Sequence, residues 1–199
     1  IARWRSAIML NKEVSMPDCF DVEKATQMAA YLLAKSSGTM PYLKLIKLLY
    51  IADREALRRW GYPLTGDSYA SLDHGPVVSQ IMDLIRHSPV WPGSKHWVKY
   101  IETRERDKSV RLRERPPFDL LSDAAKSLLD EIYEEYGRLN TWALRDLVHK
   151  FPEWKDPQGS SIPISYVDIL KAVGREDEAE ELAEEIEAKN RFKRALSSA

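Results

Sequence analysis

The sequence predicts an α+β fold that is mainly α-helical with a small antiparallel β-sheet: a compact single helical domain followed by a charged C-terminal helix. Three observations predict it. Segments with apolar residues at helical spacing, each ended by Gly or Pro, recur along the chain. Residues 95–115 alternate polar and apolar side chains, as a β-hairpin does. Residues 174–199 are dominated by charged side chains and alanine.

The first two helices follow from their capping residues and breakers. Asp21 is an N-cap type, and the apolar spacing behind it predicts a helix to about Lys35. A longer helix is predicted from Pro41 to Gly61, because Pro is tolerated in a first turn and Gly ends many helices. Pro63 then prevents the helix from resuming.

A strand and a third helix are predicted next. Residues 68–72, SYASL, have the composition of a short strand. Gly75 and Pro76 are expected to open a helix, since Pro presets the first helical turn, and Pro89 closes it.

The second half of the chain is predicted to be a hairpin followed by further helices. Trp97, Val110 and Leu112 mark the apolar face of the hairpin, and the mixed charges at its centre indicate a solvated surface. Helices are then predicted from Ser122 to Gly137, from Thr141 to about His149 and over residues 164–174.

Composition excludes several classes of function. The formal net charge is −1 with 31% charged residues, so no overall basic excess indicates a nucleic-acid partner. The longest apolar runs are too short to span a bilayer, so no membrane association is expected. The single cysteine, Cys19, is typical of a reducing cytosol, which predicts a cytoplasmic protein.

Three segments are expected along the chain. Residues 1–15 are predicted to be a poorly ordered N-terminal extension and not a signal peptide, because their apolar core is too short. The sequence begins with Ile, so an upstream extension and a start at Met9 or Met16 both stay open. Residues 16–173 form the helical domain, and residues 174–199 form the charged helix.

The long helix at residues 41–60 has two faces. At about 100° per residue, one wide arc is apolar and the opposite arc is charged. Asp53 falls within the apolar arc and needs hydrogen-bond partners, because an unpaired buried carboxylate costs on the order of several kcal/mol. Its donors are expected in the loop at residues 73–76 or on a tyrosine. The interpretation is structural: Asp53 ties a turn to the helix.

The charged arc of this helix carries the first candidate interface. Ile51 lies there beside Leu48, where water is expected, and basic side chains surround both. The predicted partner-binding residues of this helix are Lys47, Leu48, Ile51, Arg54 and Arg58.

The sequence contains few patterns that indicate catalysis or metal binding. The four histidines have no metal-ligand spacing, and the chain has no HExxH, CxxC, GxGxxG, P-loop or GxSxG motif. We therefore predict no catalytic residue, no metal, no cofactor and no enzymatic activity. An enzyme that uses Asp53 with His74 stays open as an alternative. The simpler interpretation of Asp73 to Pro76 is a sharp turn held by hydrogen bonds.

Residues 43–78, LKLIKLLYIADREALRRWGYPLTGDSYASLDHGPVV, resemble the core signature of the Panacea domain, the SocA-like antitoxin family. That signature is a Lys-Leu-x-Lys-Leu-Leu-Tyr helix, a Tyr-Gly-x-Pro-Leu turn and a strand that ends in Tyr-Gly-Pro-Val. Trp60 and His74 stand where the family often has Tyr, and both keep a planar ring. A weaker resemblance extends over residues 21–172. The matching residues are Lys44, Leu45, Lys47, Leu48, Leu49, Tyr50, Gly61, Pro63, Leu64, Gly75, Pro76 and Val77.

The resemblance implies an antitoxin of a bacterial or phage toxin–antitoxin pair. Such proteins bind and neutralise a cognate toxin, and at least one also acts as an adaptor that presents its toxin to an ATP-dependent protease. The implied partners are therefore a toxin protein and an ATP-dependent protease. The residues assigned a structural role in the motif are Tyr50, Asp53, Gly61, Pro63, His74, Gly75 and Pro76.

The C-terminal helix offers a second candidate interface. Ala179, Leu182, Ala183 and Ile186 form a narrow apolar stripe between acidic residues. One interpretation is a solvated helix that rests one edge on the domain. Another is that Leu182 and Ile186 bind a partner, pair two copies of the chain as a homodimer, or give a protease access to the chain.

A DNA-binding transcriptional autoregulator is another class of function that stays open. It would need a basic recognition helix. The most basic stretch, residues 104–115, is predicted to be a hairpin instead, which weighs against this class.

Overall fold

The computed structural model describes residues 20–87 and 93–197, with side chains for residues 20–86 and 93–192. The predicted N-terminal extension, the candidate starts at Met9 and Met16, Cys19 and the helix-closing Pro89 lie outside these ranges. In the described ranges, no helix is both long and apolar enough to cross a membrane.

Eight α-helices and two three-stranded antiparallel sheets make up the described part of the chain, which confirms the predicted α+β class. The helices are α1 (Val22–Lys35), α2 (Tyr42–Trp60), α3 (Ser79–His87), α4 (Ser94–Tyr100), α5 (Asp123–Tyr136), α6 (Thr141–Val148), α7 (Tyr166–Ala172) and α8 (Ala179–Ser197). The strands are β1 (Thr39–Pro41), β2 (Tyr69–Leu72), β3 (Gly75–Val78), β4 (Ile101–Arg104), β5 (Ser109–Leu112) and β6 (Ile162–Ile164). One sheet has the order β1-β5-β4 and the other β3-β2-β6.

Several helix ends lie where their capping residues predict them. The Asp21 carboxylate accepts the backbone N–H groups of residues 23 and 24 at 3.0 Å, and α1 begins one residue later. The Ser122 hydroxyl accepts the N–H of Ala125 at the start of α5. Gly61 ends α2 in the left-handed conformation, with φ of 75°.

The segment from Gly75 to Val78 is a strand, so the predicted helix start at Gly75-Pro76 is wrong. The strand β3 pairs antiparallel with β2, with Gly75 opposite Leu72 and Val78 opposite Tyr69. Helix α3 begins only at Ser79. The pairing with β2 and complete burial of β3 override the local helix signal of the Gly-Pro pair.

The predicted hairpin is confirmed, but it is shorter than expected. Strands β4 and β5 pair with Thr103 opposite Val110. Trp97 belongs instead to α4, where its ring is fully buried, so its placement in the hairpin is wrong. Strands β1 and β6 each have three residues, too few to show an alternating pattern in the sequence.

Helix α2 is the centre of the core. It packs against α1, α5, α6, α7 and β3, so other elements cover it on most of its circumference. The tail helix α8 packs along α7, and Ala179, Ala183 and Ile186 of its apolar stripe are buried. The start of α8 also lies against the end of α2: a Cβ atom on Gly61 would stand 3.1 Å from the Leu182 side chain.

Candidate functional site

The first feature of the candidate site is a buried carboxylate, Asp53 of α2, with no exposed surface. It accepts hydrogen bonds from the backbone N–H groups of Leu64 and Thr65, both at 2.8 Å, from the Thr65 hydroxyl, and from the Tyr69 hydroxyl at 2.9 Å. Burial raises the pKa of Asp53, while these donors favour its charged form. Asp53 therefore ties the loop after α2, and strand β2, to the helix.

This geometry confirms one predicted kind of partner for Asp53 and corrects the other. A tyrosine, Tyr69, is among its donors, as expected. The loop at residues 73–76 is not, and residues 64–65 take that place. The chain reverses directly after α2, so the returning loop lies beside the last turns of the helix. The turn at residues 73–76 lies instead beside Lys47, further back along α2.

A second buried carboxylate, Asp67, was not predicted as a site residue. It accepts hydrogen bonds from the backbone N–H groups of Ser68, Gln80 and Ile81, at 2.7–3.0 Å, and thereby caps the start of α3. Burial raises the pKa of Asp67 to about 7, with the nearby Asp53 charge adding to the effect. Asp67 is 12 or more residues away in sequence from Gln80 and Ile81. Capping patterns, which cover only a few neighbouring residues, therefore do not reveal it.

The third feature is a buried lysine beside the β3 corner. Lys47 has no exposed surface, and its ammonium nitrogen donates to the Pro76 carbonyl at 2.6 Å. Gly75 has φ of +92°, and a Cβ atom there would stand 2.8 Å from Val148 and 3.0 Å from His149. Gly75 thus lets β3, α2 and α6 meet in a contact that leaves no room for a side chain.

Lys47 is expected to make stability depend on pH. Burial lowers the pKa of Lys47 to about 7 in the folded protein, against an ordinary value of 10.5. Between these values the unfolded chain binds more protons, so stability rises as pH rises above 7. Relative to Lys47→Met, which removes the amine, the unfolding free energy of the wild type should gain about 2 kcal/mol between pH 7 and pH 9.

The measurement is chemical denaturation of both proteins at several pH values in that window. Asp67, whose pKa is about 7, changes the stability mainly below this pH window. Because its pKa is raised in the folded protein, the free energy of unfolding falls as pH rises from about 4 to 7. Parallel pH profiles for the wild type and Lys47→Met above pH 7 would contradict a buried, weakly protonated Lys47.

The fourth feature is a polar clamp between α2 and the segment after α6. The Glu153 carboxylate is buried and accepts hydrogen bonds from the Tyr50 hydroxyl at 2.9 Å and from the Arg54 guanidinium at 2.8 Å. The Arg54 guanidinium also lies 4.2 Å above the Phe151 ring. These contacts fix the stretch that follows His149, which the sequence patterns treat only as a break between helices.

An exposed aromatic surface lies outside this polar core. Trp142 on α6 is 57% exposed, the edge of its ring system meets His74 at 5.9 Å between centroids, and the Arg145 guanidinium lies 5.1 Å from its centroid. The His149 and Trp154 rings stack on each other, with 4.0 Å between their centroids. We call His74, Trp142 and Arg145 the Trp142 surface. Two side chains hold the exposed tryptophan in place, as in rigid protein-binding anchors.

Three residues of the predicted interface on α2 are buried in the folded chain. Lys47 and Leu48 have no exposed surface, and Ile51 is only 4% exposed. The charge pattern of α2 predicts that the charged arc faces solvent. Because other elements cover α2 on most of its circumference, these side chains point into the core instead. Arg54 is mostly buried and already engaged with Glu153.

The other predicted partner-binding residues differ in their availability. Arg58 is half exposed, although it is paired with Glu55 at 2.6 Å. Glu55 also pairs with Arg59 at 2.5 Å. Ile186 is buried against the domain, so a partner could contact it only if α8 left the domain, whereas Leu182 is partly buried and keeps some exposed surface.

The geometry does not assemble the alternative catalytic pair. Asp53 is completely buried and its oxygens are held by four donors, whereas His74 is exposed and contacts Trp142. The two groups therefore share no cleft that a substrate could enter. Within residues 20–87 and 93–197, no three His, Cys, Asp or Glu side chains are grouped as metal ligands.

Comparison with models of known protein families identifies a family for more than half of the chain. The family model described as "Antitoxin SocA-like, Panacea domain" matches residues 45–155. This range includes all but the first three residues of α2, both sheets except β1 and β6, the polar clamp at Glu153 and the whole Trp142 surface, and it ends before the tail helix. Searches of curated proteins and of solved structures found no match.

Proposed function

The chain belongs to the SocA-like antitoxin family with a Panacea domain, and from this premise we propose that it neutralises a cognate protein toxin by direct binding. The family match over residues 45–155 carries the proposal. The buried polar groups add support, because the hydrogen bonds of Asp53, Lys47 and Glu153 are made to other groups inside the fold. A binding role on the outer surface is consistent with such a core.

We place the toxin contact on the Trp142 surface. Four large apolar side chains of the described chain are exposed: Tyr62, Leu120, Trp142 and Phe192. Trp142 alone among them combines aromatic and guanidinium contacts, the side-chain types that dominate interface energies. The surface also lies within the matched residues, whereas Phe192 belongs to the tail.

The proposal has two finer parts. After binding, the antitoxin acts as an adaptor that delivers the toxin to an ATP-dependent protease in the cytoplasm of a bacterial or phage-infected cell. The chain is organised as a binding domain at residues 16–173 and a charged helix at residues 174–199. A toxin half-life that is the same with and without the antitoxin, in cells that contain the protease, would remove the adaptor step but leave neutralisation in place.

The test of neutralisation is co-expression with the product of the neighbouring reading frame. That product alone should stop growth, and the wild-type chain should restore it. Trp142→Ala with Arg145→Ala should lose at least tenfold in protective dose, since truncation of a central anchor costs about 2 kcal/mol or more. Phe192→Ala is the matched control, because it removes a 67% exposed ring from the tail and should protect fully.

The outcomes separate the two claims. Wild-type protection that the Trp142/Arg145 double variant retains would keep the antitoxin function and reject this surface. A neighbouring product that inhibits growth, and that the wild-type chain neither binds nor counteracts, would reject the function itself. Cellular levels of each variant, measured in the same cultures, exclude loss of the protein as the cause.

A further inference from the structure

Charge is segregated along the chain, although the total is close to zero. Residues 95–115 contain eight basic and four acidic side chains, a net charge of +4. Residues 174–192 contain three basic and eight acidic side chains, a net charge of −5. The net charge of −1 for the whole chain is small because oppositely charged segments cancel. One of these segments is strongly basic and comprises α4 and the β4–β5 hairpin.

The β-sheet geometry collects arginines of this basic unit on one face. Val110 is fully buried and Arg111 is exposed, as alternation along β5 requires. The ladder places Arg111 between Thr39 and Glu102, and Arg104 opposite Ser109, on the same outer face. The Arg113 N–H continues the pairing with a 2.8 Å hydrogen bond to the Tyr100 carbonyl, so its exposed side chain follows that of Arg111.

These arginines are only loosely neutralised. The closest acidic contact of Arg113 is Glu102 at 3.9 Å, and that of Arg104 is Asp107 at 4.0 Å. Arg111 forms no ion pair with any residue in the described ranges. By contrast, Arg58 and Arg59 of α2 form ion pairs with Glu55 at 2.5–2.6 Å. The cations of the sheet are therefore available to an external anion.

The same face lacks what a protein partner would use. The exposed large apolar side chains of the described chain are Tyr62, Leu120, Trp142 and Phe192, and none belongs to β1, β4 or β5. Stable protein interfaces depend on apolar and aromatic anchors. Binding to a phosphate backbone needs only accessible cations, and it is strongest where the anion is densely charged.

We propose that the outer face of the β1-β5-β4 sheet, with Arg104, Arg111 and Arg113, binds the phosphate backbone of double-stranded DNA. Alternate residues of a strand lie about 6.8 Å apart, close to twice the roughly 3.4 Å by which successive phosphates of one DNA strand advance along the helix axis. The major groove also admits a two-stranded β-ribbon. The chain thus has a DNA-binding surface that its net charge conceals, separate from the toxin contact and independent of it.

The test is fluorescence anisotropy of a labelled 20-base-pair DNA duplex, titrated with the full chain at 50 mM and 200 mM salt. With three phosphate contacts, affinity should fall about 40-fold between these conditions. Arg111→Glu with Arg113→Glu should bind at least tenfold more weakly at 50 mM salt. Its remaining salt dependence should fall to about fourfold, the effect of a single contact.

A charge-matched control makes the result specific. Arg138→Glu with Lys150→Glu changes the net charge equally at exposed positions in the turns after α5 and α6, and it should keep the wild-type affinity and salt dependence. If the Arg111→Glu/Arg113→Glu variant does not fold, Arg111→Gln with Arg113→Gln replaces it in the titration. Circular dichroism checks that each variant is folded. No DNA binding at 50 mM salt, or equal losses in both glutamate variants, would overturn the proposal. So would self-association that depends on these arginines without any DNA binding, which would identify an acidic protein surface as the partner.

Discussion

Replacement of Asp53 by alanine is expected to lower the free energy of unfolding by about 3–5 kcal/mol. The change leaves the N–H groups of Leu64 and Thr65, and the hydroxyls of Thr65 and Tyr69, without their buried acceptor. Each unsatisfied buried donor costs about 1–3 kcal/mol, partly relieved when water enters the space. Urea denaturation followed by tryptophan fluorescence measures the loss.

Glu131→Ala is the control for the Asp53 prediction. It also removes a carboxylate, but one that is about half exposed and paired with Arg59 at 2.6 Å. An exposed pair of this kind contributes up to about 1 kcal/mol. Equal effects of Asp53→Ala and Glu131→Ala would show that the buried carboxylate does not organise the fold.

Gly75→Ala is expected to destabilise the domain by about 2–5 kcal/mol, from two sources. A non-glycine residue at φ of +92° is strained by about 1–2 kcal/mol. The added Cβ atom also meets Val148 at 2.8 Å and His149 at 3.0 Å, and overpacking of a core costs about 1–3 kcal/mol. Thermal unfolding should show a large drop in Tm.

Gly159→Ala separates the two sources. Gly159 has φ of +81°, but a Cβ atom there would meet nothing within 4 Å. This variant should therefore show only the backbone strain and lose about 1–2 kcal/mol. A Gly75→Ala variant that loses no more than Gly159→Ala would mean that β3, α2 and α6 can separate without cost, contrary to the packing described above.

Local capping chemistry explains why several helix ends could be predicted from the sequence. The Asp21 and Ser122 side chains act on N–H groups two or three residues away, so their role is visible in a short window. The Gly75-Pro76 pair gives an equally local signal for a helix start, yet it forms a strand. There the partner strand β2 decides the structure, and a window of a few residues cannot show that partner.

The burial of Lys47 and Ile51 could not be predicted from the pattern of α2 alone. A helical wheel assigns the charged arc to solvent, which is correct when a helix has one exposed side. Helix α2 is covered from several directions, so its charged arc also receives partners: Pro76 for Lys47, and Glu153 for Arg54. Both partners lie far along the chain, and only the tertiary fold brings them to the helix.

The candidate site was partly predictable for the same reason. Asp53 stood out because a carboxylate on an apolar arc requires donors, and a tyrosine donor was expected. Glu153, which binds Tyr50 across 103 positions of sequence, gave no comparable signal, because an isolated acidic residue between helices is common. The exposure of Trp142 was equally hidden, since no local pattern distinguishes it from the other five tryptophans of the sequence.

The central claim is that the signature residues of α2 and the β2–β3 hairpin hold the fold, while the toxin binds outside them on the Trp142 surface. Isothermal titration calorimetry of the purified chain with the purified product of the neighbouring reading frame tests it most directly. We predict a complex whose Kd weakens about 30-fold or more in Trp142→Ala, with Tm unchanged, and stays at the wild-type value in Phe192→Ala. A complex that Trp142→Ala forms as tightly as the wild type would contradict this claim.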